Sequence, residues 1–223
     1  MPQLDNPLRP FRAVLFDFDG TLADAYAGIA ASVNHVRAAH GLPPLDEAEV
    51  RRHVGRGPTY LLTHTVPAGD VEADLARYRA HHPSVMYTGT RLMPGAAECL
   101  AALHRSGRKL GVCSNKLVGF TRQLLAHLGL APHLDAVVGP EDVPRPKPAP
   151  DMLLLGLRRL GVTPAEALYV GDMTVDVATA RAAAVQVWVV PTGCEDRAAL
   201  EAVRPDRLLR DLGELAALAA SSP

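Results

Sequence analysis

Aromatic residues are scarce in this chain: Phe, Trp and Tyr together make up 4% of its 223 residues. That leaves no platform on which nucleic-acid bases could stack. An excess of charge of one sign is also lacking, since 23 Lys and Arg face 24 Asp and Glu for a net charge of −1. Such a balance gives no electrostatic argument for nucleic acid or for an anionic membrane surface. The three cysteines, Cys99, Cys113 and Cys194, are far apart and form no Cys-x-x-Cys pair. This suits free thiols in a reducing cytoplasm. Nine histidines include no His-Glu-x-x-His pattern, so zinc is not expected. A Gly-x-x-x-x-Gly-Lys-Ser/Thr loop is absent, which argues against a P-loop kinase. No apolar run reaches spanning length, and the polar, proline-bearing stretch 1–10 does not read as a signal peptide or anchor. Hydrophobic content of 48% supplies an ordinary globular core.

What the chain does have is alternation. Arg12 to Asp17 reads as a buried strand. From Tyr26 onward, three-and-four spacing of apolar residues predicts an amphipathic helix ending near Gly41 to Pro44. Asp46 is placed as the N-cap of a second helix through Val54. The segment Tyr60 to Val66 and a longer helix from about Asp70 to Met86 follow, and nothing between Asp24 and Thr90 resembles a strand. Past Met93-Pro94-Gly95, strands and helices alternate. Strands are expected at Lys109–Cys113, Asp135–Gly139, Leu168–Val170 and Val187–Val190, the last clear one. Strands spaced by helices in this way predict an α/β fold with a doubly wound parallel sheet, a Rossmann-like core, interrupted by an all-helical insert. The division expected is core at 11–23 and 91–215, with the insert at 24–90. Cys113 and Trp188 fall in strand patterns and are assigned to the core, and His81-His82 to a solvated helix end.

Strand ends in such a sheet converge on one edge, where ligands bind. Four of them carry polar chemistry. Asp17 and Asp19 close the first strand, where buried charge needs compensation. Ser114 and Asn115 precede a helix start, a place that favours an anion. Lys147 stands between Pro146 and Pro148, which stiffen its backbone and aim one cation. Gly171-Asp172-Met173-Thr174-Val175-Asp176 adds two more carboxylates. Clustered carboxylates invite a hard cation such as Mg²⁺, which often keeps a substrate phosphate among its ligands. The set suits phosphoryl transfer, in which positioning and charge neutralisation do the work, and an aspartate can serve as its nucleophile.

These loops resemble the four signature motifs of the haloacid dehalogenase superfamily: Asp17 to Leu22, Ser114, Lys147, and Gly171 to Asp176. The likeness runs from about Phe11 to Leu215, and Met93-Pro94-Gly95 with Val143 to Pro148 is similar to the phosphoglycolate phosphatase-like subgroup. The resemblance implies a helical cap at the insert and Mg²⁺-dependent hydrolysis of a small phosphorylated metabolite, 2-phosphoglycolate being one candidate. It implies that Asp17 is nucleophile and metal ligand, and that Asp19 is general acid, then base, with its backbone carbonyl on the metal. Ser114, Asn115 and Lys147 would hold phosphoryl oxygens. Asp172 would bind the metal, with Asp176 a second ligand or a supporting partner. Phosphomutase or pyrophosphatase chemistry of the same superfamily is the nearest alternative, and Thr21, where mutases usually carry Val, favours hydrolysis. Halide removal and a phospho-accepting receiver domain fit less well. Three positions depart from the usual pattern: Ala25, Met173 and Ala184. In the insert, Thr59, Tyr60 and His64 are candidates to face substrate. Arg56, between Gly55 and Gly57, is the candidate to grip a substrate carboxylate.

Overall fold

The computed structural model describes residues 7–8, 10–67 and 69–221. Strand β1 (Ala13–Phe16) is followed by the two-residue β2 (Ala23–Asp24) and four helices: α1 (Tyr26–Ala39), α2 (Glu47–Arg51), α3 (Pro58–Thr65) and α4 (Val71–His81). Strand β3 (Arg91–Leu92) then pairs antiparallel with β2. Helices and strands alternate from there: α5 (Ala96–Arg105), β4 (Lys109–Cys113), α6 (Val118–His127), β5 (Ala136–Val138), α7 (Asp151–Leu160), β6 (Ala167–Gly171), α8 (Thr174–Ala182), β7 (Gln186–Val189), α9 (Arg197–Ala202), β8 (Arg207–Leu208) and α10 (Leu212–Ala220).

The six-stranded sheet has the order β5-β4-β1-β6-β7-β8, and every pairing in it is parallel. Alternate residues of each strand bury on opposite faces, as the period of two requires. Val14 and Phe16 join α5, α6 and α10 on one face. Ala13 and Leu15 join α7, α8 and α9 on the other. Helices on both faces make this the doubly wound parallel sheet expected from the alternation. The strand order reverses at β1 and β6, and the crevice there is where such folds bind ligands.

The helices α1 to α4 form their own apolar cluster around Ile29, Val33, Leu62 and Tyr78. Asp46 caps α2 as expected: its side chain accepts from the Glu49 N–H, and Glu49 answers at the Asp46 N–H. Arg51 ties this layer to the core by donating to the Thr192 and Gly193 carbonyls at 3.0 and 2.8 Å.

Several sequence expectations are corrected. Helix α2 stops at Arg51 rather than Val54. Helix α4 stops at His81, because Pro83 cannot supply the N–H that a continuing turn needs. The two-residue strands β2 and β3 flank the insert, which holds no strand between them among the described residues, and β8 follows Val187–Val190, the last strand expected. Helix α10 continues to Ala220, past the expected limit at 215. His82 is not solvated but fully buried. It stacks on Tyr78 and tilts against Phe120 of α6. Trp188 is core, edge-on to Phe11 at 6.0 Å. Among the described residues no helix is long and apolar enough to cross a membrane.

Candidate active site

The loops after β1, β4 and β6 and the loop carrying Lys147 meet at the reversal of strand order. Asp17, Ser114, Lys147, Asp172 and Asp176 are all almost fully buried. Lys147 is the hub. Its Nζ lies 2.8 Å from Asp17 Oδ2 and 2.7 Å from Asp176 Oδ1, and it donates to the Tyr169 hydroxyl at 3.1 Å. Burial pulls its pKa down, but the carboxylates of Asp17 and Asp176 outweigh that and hold it above the ordinary lysine value. For Asp17, burial pushes the pKa up, Lys147 pulls it back and Asp176 pushes again, leaving it at about 6.

Asp172 and Asp176 are equally buried but differently satisfied. Asp176 is saturated: Oδ1 meets Lys147 and Tyr169, while Oδ2 accepts the N–H groups of Asp172 and Met173 at 3.1 and 3.0 Å. Asp172 Oδ1 accepts from the Thr21 hydroxyl at 2.6 Å, whereas Oδ2 is buried with no hydrogen-bond partner. Burial and the nearby Asp176 and Asp17 push the Asp172 pKa well above the carboxylate range. Carboxylate oxygens of Asp17, Asp172 and Asp176 can all lie within 4.8 Å of one another. An orphaned buried oxygen beside two further carboxylates is the donor set a hard divalent cation takes. Gly20 keeps that space open: φ is 85°, and a Cβ there would sit 2.3 Å from Asp172 Oδ2.

Asp19 is 8% exposed and faces Lys116, whose Nζ is 3.2 and 3.3 Å from its two oxygens. Lys116 follows directly on Ser114 and Asn115 in the sequence, and nothing in the sequence pattern assigns it a role. The Ser114 hydroxyl helps to lower the Asp17 pKa and accepts the Lys116 N–H at 3.3 Å. Asn115 spends its side chain on the loops: its amide donates to the Gly55 and Lys147 carbonyls at 3.0 and 3.1 Å and accepts from the Lys147 N–H at 3.0 Å. Tyr169 was missed, and so was the bond from Thr21 to Asp172. The tyrosine sits in a strand pattern that explains it as core, and the threonine is part of a turn.

A cavity of about 40 Å³ opens onto Asp17, Asp19, Ser114 and Lys116 under a roof that includes Ile29, Val54, Pro58 and Leu61. Gly55 and Gly57 reach it, both with positive φ, but Arg56 between them does not. It is exposed, its guanidinium lies 5.2 Å from the Tyr60 ring centre, and it lines a separate cavity of about 260 Å³ with Thr59, Arg79 and Glu141. The structure sets the Arg56 side chain outside the cavity that Asp17 lines. The turn approaches the site, but the side chain between the glycines points along the outside. Tyr60 and His64 stack on each other at 3.9 Å, on the face of α3 opposite buried Leu61, Leu62 and Thr65.

A sequence model of the haloacid dehalogenase-like hydrolases matches residues 14–190. This chain belongs to that family. A phosphoglycolate phosphatase of Rhodospirillum rubrum is 41% identical over 193 residues, 82% of this chain and 80% of that protein. An N-acetylmuramic acid 6-phosphate phosphatase of Pseudomonas aeruginosa is 36% identical over 190 residues, 82% of each chain. Among solved structures, a haloacid dehalogenase-like hydrolase of Bacteroides fragilis superposes with a TM-score of 0.86 at 31% identity, covering 92% of this chain and 99% of that one.

Proposed function

We propose that this hydrolase is a Mg²⁺-dependent phosphatase of small phosphate monoesters, with 2-phosphoglycolate the leading substrate, working through an aspartyl-phosphate on Asp17. The observation that carries the reading is the unpartnered, buried Asp172 Oδ2 beside Asp17, with Lys147 holding the other Asp17 oxygen. In this reading Asp17 Oδ1 and Asp172 Oδ2 are the carboxylate ligands, and the backbone carbonyl of Asp19 is a third. Asp176 supports them, since both its oxygens are already engaged. When bound, Mg²⁺ would neutralise phosphoryl oxygens as a Lewis acid.

Asp17 attacks phosphorus. Ser114, the Asn115 backbone and Lys147 hold phosphoryl oxygens as charge moves onto them. Asp19 gives a proton to the departing alkoxide and later takes one from the water that cleaves the acyl phosphate. Thr21 fixes Asp172 by its hydroxyl, which supports hydrolysis over mutase chemistry. Residues 24–90 act as the cap, and 11–23 with 91–215 as the core. The cavity holds roughly three waters at the space each needs, which favours a short substrate. The free thiols of Cys99, Cys113 and Cys194 suit a cytoplasmic protein.

Phosphate release tests the reading, screened with Mg²⁺ over 2-phosphoglycolate, sugar phosphates including N-acetylmuramic acid 6-phosphate, and pyrophosphate. Turnover of a small monoester, abolished by Asp17→Asn, is the expected outcome. Release from none of them would overturn it.

A further inference from the structure

We infer that Lys116 recognises a second anionic group on the substrate, a carboxylate within one or two carbons of the ester oxygen, and that this contact frees Asp19 to act. The inference rests on the phosphatase reading and adds to it the residue that selects an anionic substrate. Lys116 is 8% exposed and lines the cavity that contains Asp17. The roof contributes no cation there: Ile29, Val54, Pro58, Leu61 and Tyr78 are apolar or neutral, as is Phe120 beside them. Lys147 sits between Asp17 and Asp176, and in the phosphatase reading it serves the phosphoryl group. Among the described residues that line this cavity, that leaves Lys116 as the cation able to meet a substrate carboxylate, in surroundings where poor solvation strengthens the attraction.

In this structure the Lys116 ammonium takes both Asp19 oxygens, at 3.2 and 3.3 Å. An acid that must protonate a leaving alcohol needs one oxygen turned toward it. An arriving carboxylate competes for the same ammonium. It exchanges one anionic partner of Lys116 for another, so the cation stays paired while Asp19 is released. A neutral leaving group offers no such exchange, and Asp19 stays engaged.

Two esters of similar size separate the possibilities, 2-phosphoglycolate and ethyl phosphate, each assayed with Mg²⁺ on the wild type and on Lys116→Met. Lys116→Met should lower kcat/KM for 2-phosphoglycolate by about 10- to 150-fold, the span for a hydrogen bond to a charged group. The loss on ethyl phosphate should be at least about tenfold smaller, and the wild type should itself prefer 2-phosphoglycolate by a similar factor. Equal losses on both esters overturn the inference, because Lys116 would then act on Asp19 or the phosphoryl group alone. A wild type that hydrolyses both esters equally well overturns it without any variant and leaves the phosphatase reading standing. A wild type that releases phosphate from neither ester, nor from any other monoester, brings down both.

Discussion

Lys147 Nζ bridges Asp17 Oδ2 and Asp176 Oδ1 at 2.8 and 2.7 Å, with no part of its side chain exposed. One cation thus joins the loop after β1 to the first turn of α8, and its backbone N–H donates to the Asn115 side-chain oxygen, which sets its approach. A lysine so placed serves stability and function together. It compensates two buried carboxylates, and it holds the Asp17 carboxylate in a fixed orientation.

Removing the cation should therefore cost more than a surface pair would. Lys147→Met is expected to lower unfolding free energy by about 3–5 kcal/mol, because two buried acids lose their counter-charge. Adding Asp176→Asn should recover part of that loss. Urea unfolding of the two single variants and the double variant measures the coupling. Strictly additive losses would mean that Lys147 and Asp176 are not energetically paired.

Asp17→Asn should abolish turnover and keep the circular dichroism of the wild type, since an amide is a poor nucleophile yet fills the same space. Asp19→Asn should slow alkyl phosphate hydrolysis by about 10²–10⁴-fold and slow activated aryl phosphates less. EDTA should stop phosphate release and Mg²⁺ restore it; metal-independent turnover would refute the assignment of Asp172.

The parallel sheet and the carboxylate edge were legible because apolar strands four or five residues long carry a clear pattern and end in polar residues that burial alone does not explain. Two-residue strands such as β2, β3 and β8 have no period to read. The burial of His82 was hidden because a histidine after a helix usually meets solvent, and only the fold brings Phe120 against it. Arg56 and Lys116 differ for a similar reason. Both follow a loop cue, but side-chain direction depends on tertiary contacts. The cue for Lys116 was present in its place directly after Ser114-Asn115 on the β4 edge.

Arg56→Ala checks that contrast. Its visible contact is an exposed cation–π pair with Tyr60, worth about 0.5–1 kcal/mol. The variant should leave kcat/KM for 2-phosphoglycolate within about threefold of wild type. A loss of tenfold or more would bring Arg56 into the site through movement of the helical segment.

Ala184 has φ of 55°, the left-handed region, just past α8, and is exposed. A Cβ there strains the backbone by about 1–2 kcal/mol, while glycine gives back part of the gain through unfolded-chain entropy. Ala184→Gly should stabilise the protein by about 0.5–1 kcal/mol, a rise of about 1–4 °C in Tm for a chain of this size. An unchanged or lower Tm in a thermal melt would contradict the strain.

His82 is fully buried, its Nδ1 lies 2.9 Å from the Ser32 hydroxyl, and its Nε2 has no partner. Burial lowers its pKa first, with Lys116 and His81 adding repulsion, and it falls to about 3. An unfolded histidine titrates near 6.5. Between those values the unfolded chain binds the proton and the folded one does not, so His82 favours folding less as pH drops below about 6.5, and the loss is complete near 3. The slope it contributes is about 1.4 kcal/mol per pH unit in that window. His82→Phe removes the proton site while keeping a ring against Tyr78 and Phe120. Unfolding free energy measured from pH 7 to pH 4 should fall more gently in the variant than in the wild type, whatever the absolute stability of each. Parallel curves would show that His82 takes up no extra proton on unfolding.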